Sequence, residues 1–229
     1  MGILVYTHLL SKRKSRCENM DYKEMEELFI NERLNNDMGY EIIVGSNNIM
    51  LSAPHSVSQF REGKVKTGEY RTGLIVKLLK ERTASHSIYK TACLQDDANY
   101  DESDSCKYKE NLISYIENND IAYLFDFHIS APSRCYDIDI GTAFGVNIQN
   151  NEKLLEVVSN IFNKYYENVL IDDTFPASYR NTVSATVARE NYIPCLQIEI
   201  NWNQIDTFVK VEKFLTCMEE VVKDIESNI

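Results

Sequence analysis

Three observations on the sequence predict an α/β fold, a three-layer sandwich around a mixed, largely parallel central sheet. Apolar runs of strand length alternate with segments whose apolar residues recur at helical spacing, the pattern that builds crossovers over a sheet. No Pro/Gly-rich linker, low-complexity tract or internal repeat divides the 229 residues, so residues 1–229 are expected to form a single domain, with about 1–40 as an N-terminal extension. With 44% hydrophobic and 26% charged residues, the composition is that of a globular chain with a substantial core.

The elements follow in chain order. "MDYKEMEELFINERL", from Met20 to Leu34, has amphipathic helical spacing. "YEIIVGSNNIMLSAPH" reads as two short strands around a Gly-Ser-Asn-Asn turn. "EYRTGLIVKLLKER" returns to helical spacing, "RTASHS" is a polar turn, and "SIYKTACL" is a strand. "SCKYKENLISYIENND" is a helix for which Ser103 or Ser105 is the expected cap. "IAYLFDFHIS" has the content of a buried strand, "DIDIGTAFG" alternates as a strand does, and "EKLLEVVSNIFNKYYEN" is helical. "SYRNTVSATVARENYIP" is a polar segment ahead of the last strand, an ordinary loop and strand edge on its simplest reading; "IPCLQIEINW" reads as a buried strand and "TFVKVEKFLTCMEEVVKDIE" as a long closing amphipathic helix. In such sheets functional residues gather at the carboxyl ends of the strands.

The bulk properties exclude several classes. A net charge of −11 argues against a general nucleic-acid or anionic-membrane binder, so neither partner is expected. No apolar stretch approaches the roughly 20 residues that span a bilayer. The opening "MGILVYTHLLSKRKSRCENM" places its basic cluster after the apolar residues, the reverse of a secretory signal. The six cysteines are scattered without a CxxC pair, so reduced thiols and a cytoplasmic location are expected. A GxSxG elbow and the Gly-rich phosphate loops are absent, which removes support for serine-hydrolase and nucleotide chemistry.

Among the histidines, His8 lies near the chain start and His86 in a polar turn, whereas His55 and His128 each end an apolar strand. Imidazole is the commonest protein metal ligand, and hydrolytic zinc commonly takes two histidines, a carboxylate and an open position. The carboxylate candidates are Glu62, Glu69, Asp97 and Asp126. Glu69 is preferred, because an acid at the start of the predicted helix can face back to the strand end; its simpler role would be to complement the helix dipole. Asp126 and His128 share a strand face, which places Asp126 to orient a ligand from behind. Asp126 requires a partner if buried, a lysine or arginine being the ordinary one. In "LQIEIN", Gln197, Glu199 and Asn201 share a face. A covered strand should be apolar throughout, so Glu199 breaks the rule for its location and is the best general-base candidate.

The ordered set "SAPHS", "EYRTG", "DDANYD", "FDFHIS" and "LQIEIN" resembles the N-formylglutamate amidohydrolase family, related to the zinc carboxypeptidases and aspartoacylase-like hydrolases. The resemblance spans about residues 49–203 and implies a phosphorylase/hydrolase-like sandwich. It implies His55, Glu69 and His128 as ligands of one Zn2+ per chain and Glu199 as the catalytic acid/base. Asn99 matches the family's Asp-x-Asn element, which continues there with Arg where this chain has Tyr100. Ile129 separates His128 from Ser130, which are adjacent in the family. Arg61, Arg71, Arg134 and Arg180 are the arginines available for a substrate carboxylate. The expected activity is zinc-dependent hydrolysis of an amide in a small acidic N-acyl amino acid or γ-glutamyl-type substrate. The alternative is a non-catalytic metal-containing binding or regulatory module of the same fold.

Overall fold

The computed structural model describes residues 21–32, 34 and 38–229. Its elements are α1 (Tyr22–Ile30), β1 (Tyr40–Ile43), β2 (Ile49–Ala53), a hairpin of β3 (Gln59–Arg61) and β4 (Lys64–Lys66), α2 (Tyr70–Thr83), β5 (His86–Lys90), α3 (Lys107–Glu117), β6 (Tyr123–Ser130), β7 (Ile138–Gly141), α4 (Glu152–Tyr165), β8 (Val169–Ile171), α5 (Val183–Asn191), β9 (Cys195–Asn201) and α6 (Phe208–Asn228). Seven strands form the central sheet in the order β1-β5-β2-β6-β9-β7-β8. The neighbours β5/β2, β2/β6, β6/β9 and β7/β8 are parallel, while β1/β5 and β9/β7 are antiparallel. The sheet is therefore mixed and largely parallel, with helices on both faces.

Side-chain alternation along the strands divides the core in two. Ile49, Leu51, Phe125, Phe127, Leu196, Ile198 and Ile200 point to the face covered by α1, α2, α4 and α6. Met50, Ile88, Leu124 and Cys195 point to the other face, where α3 supplies Tyr108 and Leu112 and α5 supplies Val183 and Val187. Phe29 of α1 is fully buried in the larger core. A Cβ at Gly73 would lie 2.2 Å from the Phe29 ring, so the glycine in "YRTG" lets α1 settle against α2.

Several expectations require correction. "SYRNTVSATVARENYIP" is not a loop with a strand edge, since α5 runs through it, capped by the Thr182 Oγ1, which accepts from the Ala185 N–H. Its polar residues obscured the apolar stripe of Val183, Val187 and Ala188. Ser103 and Ser105 do not cap α3: they form a 3-10 turn, and the helix starts after Cys106. The β3–β4 hairpin and β8 are too short and too exposed to leave a pattern in the sequence. His86 lies in a buried strand rather than a turn, with its Nδ1 2.7 Å from the Tyr115 hydroxyl, and burial lowers its pKa. His8 and Cys17 fall outside the described residues. Among the described residues the cysteines are free, and no helix is long and apolar enough to cross a membrane.

Candidate metal centre

The site lies at the carboxyl ends of β2, β6 and β9, where the sheet emerges from under α3 and α5. β2 delivers His55 two residues beyond its end. The chain then makes the β3–β4 hairpin and returns, and the Glu69 N–H donates to the His55 carbonyl at 2.7 Å. A Cβ at Gly68 would come within 2.4 Å of the Val57 backbone, so a glycine is needed for this return. Glu69 stands at the N-cap of α2 yet makes no side-chain cap hydrogen bond. Its carboxylate turns instead between two imidazoles, Oε1 at 3.0 Å from His55 Nδ1 and Oε2 at 3.1 Å from His128 Nδ1, and Oε2 also accepts from the Ile129 N–H. The two rings meet edge to face with centroids 4.8 Å apart.

Each imidazole is held from behind by a fully buried aspartate. His55 Nε2 lies 3.0 Å from Asp97 Oδ1, and His128 Nε2 lies 3.3 Å from Asp126 Oδ2. A Nε2–H donated to Asp97 leaves the His55 Nδ1 as a lone pair, the arrangement that orients a histidine ligand, whereas His128 Nε2 is shared between the Asp126 carboxylate and the Asn99 amide nitrogen. Asp126 lies behind His128, and its own buried partner is Ser52, its neighbour in register on β2, which donates to Oδ1 at 2.7 Å, rather than a lysine or arginine. Asp97, a carboxylate candidate by sequence, lies behind His55 in the same way. Its other oxygen accepts from Arg61 at 2.7 and 2.8 Å. Glu62 occupies the hairpin tip and accepts from the Tyr100 hydroxyl, away from the imidazoles.

Charges reinforce this geometry. Burial alone would raise the Glu69 pKa, but the facing His128 and His55 hold it well below the usual carboxylate range. Burial likewise opposes the charged forms of His55 and His128, and Glu69 with the two aspartates outweighs it, so both pKa values rise. Glu199 behaves in the opposite way. Burial, helped by the Glu69 carboxylate and opposed by the imidazoles, pushes its carboxyl up to about 8. Glu199 is the register partner of His128 on one side and of Asp139 on the other, and Gln197 donates to its Oε1 at 3.0 Å.

The predicted residues separate into two groups. A cleft of about 490 Å³ brings together His55, Arg61, Glu69, Asn99, His128 and Glu199. Asn99 accepts from the Val183 N–H and directs its amide nitrogen to His128 Nε2 at 3.0 Å. Arg71, Arg134 and Arg180 do not line this cleft. Arg71 is paired with Glu26 at 2.6 and 2.8 Å; Arg134 is exposed and stacks over Phe175; Arg180 is exposed. Sequence reasoning missed the wall formed by residues 174–179. That loop is tied down by buried Asp139, which accepts from the N–H groups of Asp173, Thr174 and Phe175. The available signal was an acid inside the apolar strand "DIDIG".

No protein-family model matches the sequence, and neither does any curated protein. Among solved structures, the chain is similar to the N-formylglutamate amidohydrolase of Ralstonia eutropha JMP134, at 11% identity and TM-score 0.58, covering 84% of this chain and 100% of the other. It is similar to a bacteriophage poly-gamma-glutamate hydrolase at 12% identity and TM-score 0.53, covering 86% of this chain and 94% of that one. A metallo-carboxypeptidase from Burkholderia cenocepacia aligns at 7% identity and TM-score 0.56, over 83% of this chain and 66% of its own. The fold expected from the motifs is thus the fold the chain adopts.

Proposed function

We propose that this chain is a zinc-dependent amidohydrolase acting on the amide bond of a small N-acyl amino acid or γ-glutamyl-type substrate. The reading rests on one observation: two imidazoles turn Nδ1 towards a shared carboxylate, each backed by an aspartate on Nε2. The ligand atoms of His55, Glu69 and His128 lie within 4.8 Å of one another, and a His2Glu donor set suits hydrolytic zinc. These residues fit the ion. Zinc held there supplies a Lewis acid for the carbonyl and lowers the pKa of water towards neutrality.

The remaining steps belong to the chain's own groups. Glu199 takes the proton from the attacking water as its oxygen bonds to the carbonyl carbon. It then gives that proton to the nitrogen as the C–N bond breaks, so one carboxylate serves as base and acid. Its raised pKa marks a group poised to hold a proton, and a cation among the neighbouring ligands lowers it into the range of a working base. Arg61 lines the same cleft; its Nε and Nη2 are held by Asp97, and its Nη1 is the nitrogen offered to a substrate carboxylate.

The test is metal analysis and hydrolysis on protein purified without chelator. The expected result is about one zinc per chain and amide hydrolysis that is lost on chelation and restored by zinc. Zinc without hydrolysis across N-acyl amino acids and γ-glutamyl peptides would make the chain a metal-containing binding module instead. Protein that retains no zinc would sink both readings.

A further inference from the structure

A second cleft, also about 490 Å³, lies across Glu69 from the one described above. The two share Glu69 and Ile129, so Glu69 stands between them, with His55 and His128 on the side of the first. Ile30, Tyr70, Pro132 and Trp202 give the second cleft apolar and aromatic walls, with Arg71 and Glu26 alongside. Trp202 and Ile30 leave 36% and 46% of their surface uncovered. Given the hydrolytic reading, we propose that the substrate spans both clefts, with an uncharged acyl group of at least aromatic-ring size seated against Trp202.

The direction follows from Glu199. The leaving nitrogen takes its proton from Glu199, which lines the first cleft and not the second. The amine part therefore occupies the first cleft, where Arg61 can meet its carboxylate. The acyl part runs over Ile129 and Glu69 into the second.

The chemistry of the acyl group follows from Arg71. Its Nε and Nη2 are spent on Glu26, its Nη1 donates to the Ile205 carbonyl, and its guanidinium lies 4.7 Å from the Trp202 ring centroid and 5.2 Å from that of Phe208. Arg71 is thus neutralised within the protein. A carboxylate entering this cleft would find no free cation among its described lining residues and would face the acids Glu26 and Glu69. The volume is ample for a ring-sized group. A formyl group would fill almost none of it, and a γ-linked polyglutamate would bring carboxylates to both sides. The site thus selects a substrate class unlike that named for either of the first two structural neighbours.

Trp202 is the only tryptophan in the chain, so binding can be read apart from turnover. N-formyl, N-acetyl, N-succinyl and N-benzoyl derivatives of one amino acid are titrated into zinc-loaded Glu199→Gln protein while tryptophan emission is followed. Hydrolysis of the same compounds is measured with the unaltered enzyme. The benzoyl compound is expected to shift the emission and to exceed the formyl and succinyl compounds about tenfold or more in kcat/KM. Trp202→Ala should lower the benzoyl value about tenfold more than the formyl value. Ile30→Lys, at an exposed position, should move the preference towards succinyl.

Equal or better use of formyl or succinyl compounds by the unaltered enzyme, without an emission change on benzoyl binding, overturns the inference and leaves the hydrolytic reading intact. An emission change with no hydrolysis of any compound overturns the hydrolytic reading while the ligand class of the cleft stands. Neither signal would overturn both.

Discussion

The two faces of β6 and β9 teach more about this protein than either strand does by itself. On the face turned to α2 and α6, Phe125, Phe127, Leu196, Ile198 and Ile200 are apolar and fully buried along the whole length. On the opposite face the strands begin apolar, at Leu124 and Cys195, under α3 and α5. They then turn polar at Asp126, His128, Gln197 and Glu199, which are buried almost as deeply. Hydrophobic burial on the first face stabilises the fold. The second face buries ionisable groups at a cost, offset by pairing among the imidazoles and carboxylates. The same backbone thus supports an apolar layer and a layer of buried ionisable groups.

Ile198 and Glu199 are adjacent on β9 and set the two layers against each other. Glu199→Gln is expected to lower turnover about 10²- to 10⁴-fold, the range for a lost general acid/base, while zinc content is kept. Unchanged turnover with fold and zinc intact would dismiss Glu199 as the base. Ile198→Ala is expected to cost about 2–5 kcal/mol in denaturant unfolding and to leave the turnover of folded molecules within a few-fold. If the alanine variant instead loses turnover at unchanged stability, the division of the two faces is broken.

The supporting aspartates sharpen the comparison at smaller scale. Asp97→Asn and Asp126→Asn should each weaken zinc binding about 10- to 100-fold, read by competition with a chelator. Equal affinity in both variants would mean that the imidazoles need no support from behind.

A smaller effect concerns the pH dependence of the chelated protein. His55 and His128 have raised folded pKa values, so their contribution is complete below the unfolded value and is lost as pH rises through the folded one. Glu199, raised from 4.5 to about 8, holds a proton in the folded state that the unfolded chain releases, so it also loses stability over that interval. Glu69 and Asp97 are depressed and act the other way, losing their contribution as pH falls. Metal-free stability should therefore peak at about pH 4.5–5 and decline to pH 8. Glu199→Gln should flatten that decline by at most about 1.4 kcal/mol per pH unit, measured by urea unfolding. A slope that does not change would show that Glu199 titrates alike in the folded and unfolded chain.

Much of the fold was legible because strand and helix periods are local. The alternation of "LFDFHIS" and "LQIEIN" shows which residues share a face, and their positions show that the polar ones come last. Helix α5 was missed because its apolar stripe is short and set among polar residues, and β3, β4 and β8 offered only three residues each. Asp97 was visible as an acid, but nothing local in the sequence shows that it lies behind His55.

By itself, the sequence determined the α/β class, the strand-end placement of His55 and His128, and the common face of Glu199 and Gln197. These follow from side-chain periodicity, which needs no distant partner. Only the tertiary structure decided that Glu69 returns across fourteen residues to sit between the imidazoles, and that Asp97 lies behind His55. It also decided that Arg71 is captured by Glu26, 45 residues earlier, while Arg61 remains in the cleft. Those outcomes depend on which charged groups chain folding brings within about 3 Å, where electrostatic and hydrogen-bond energies are strong enough to choose a partner.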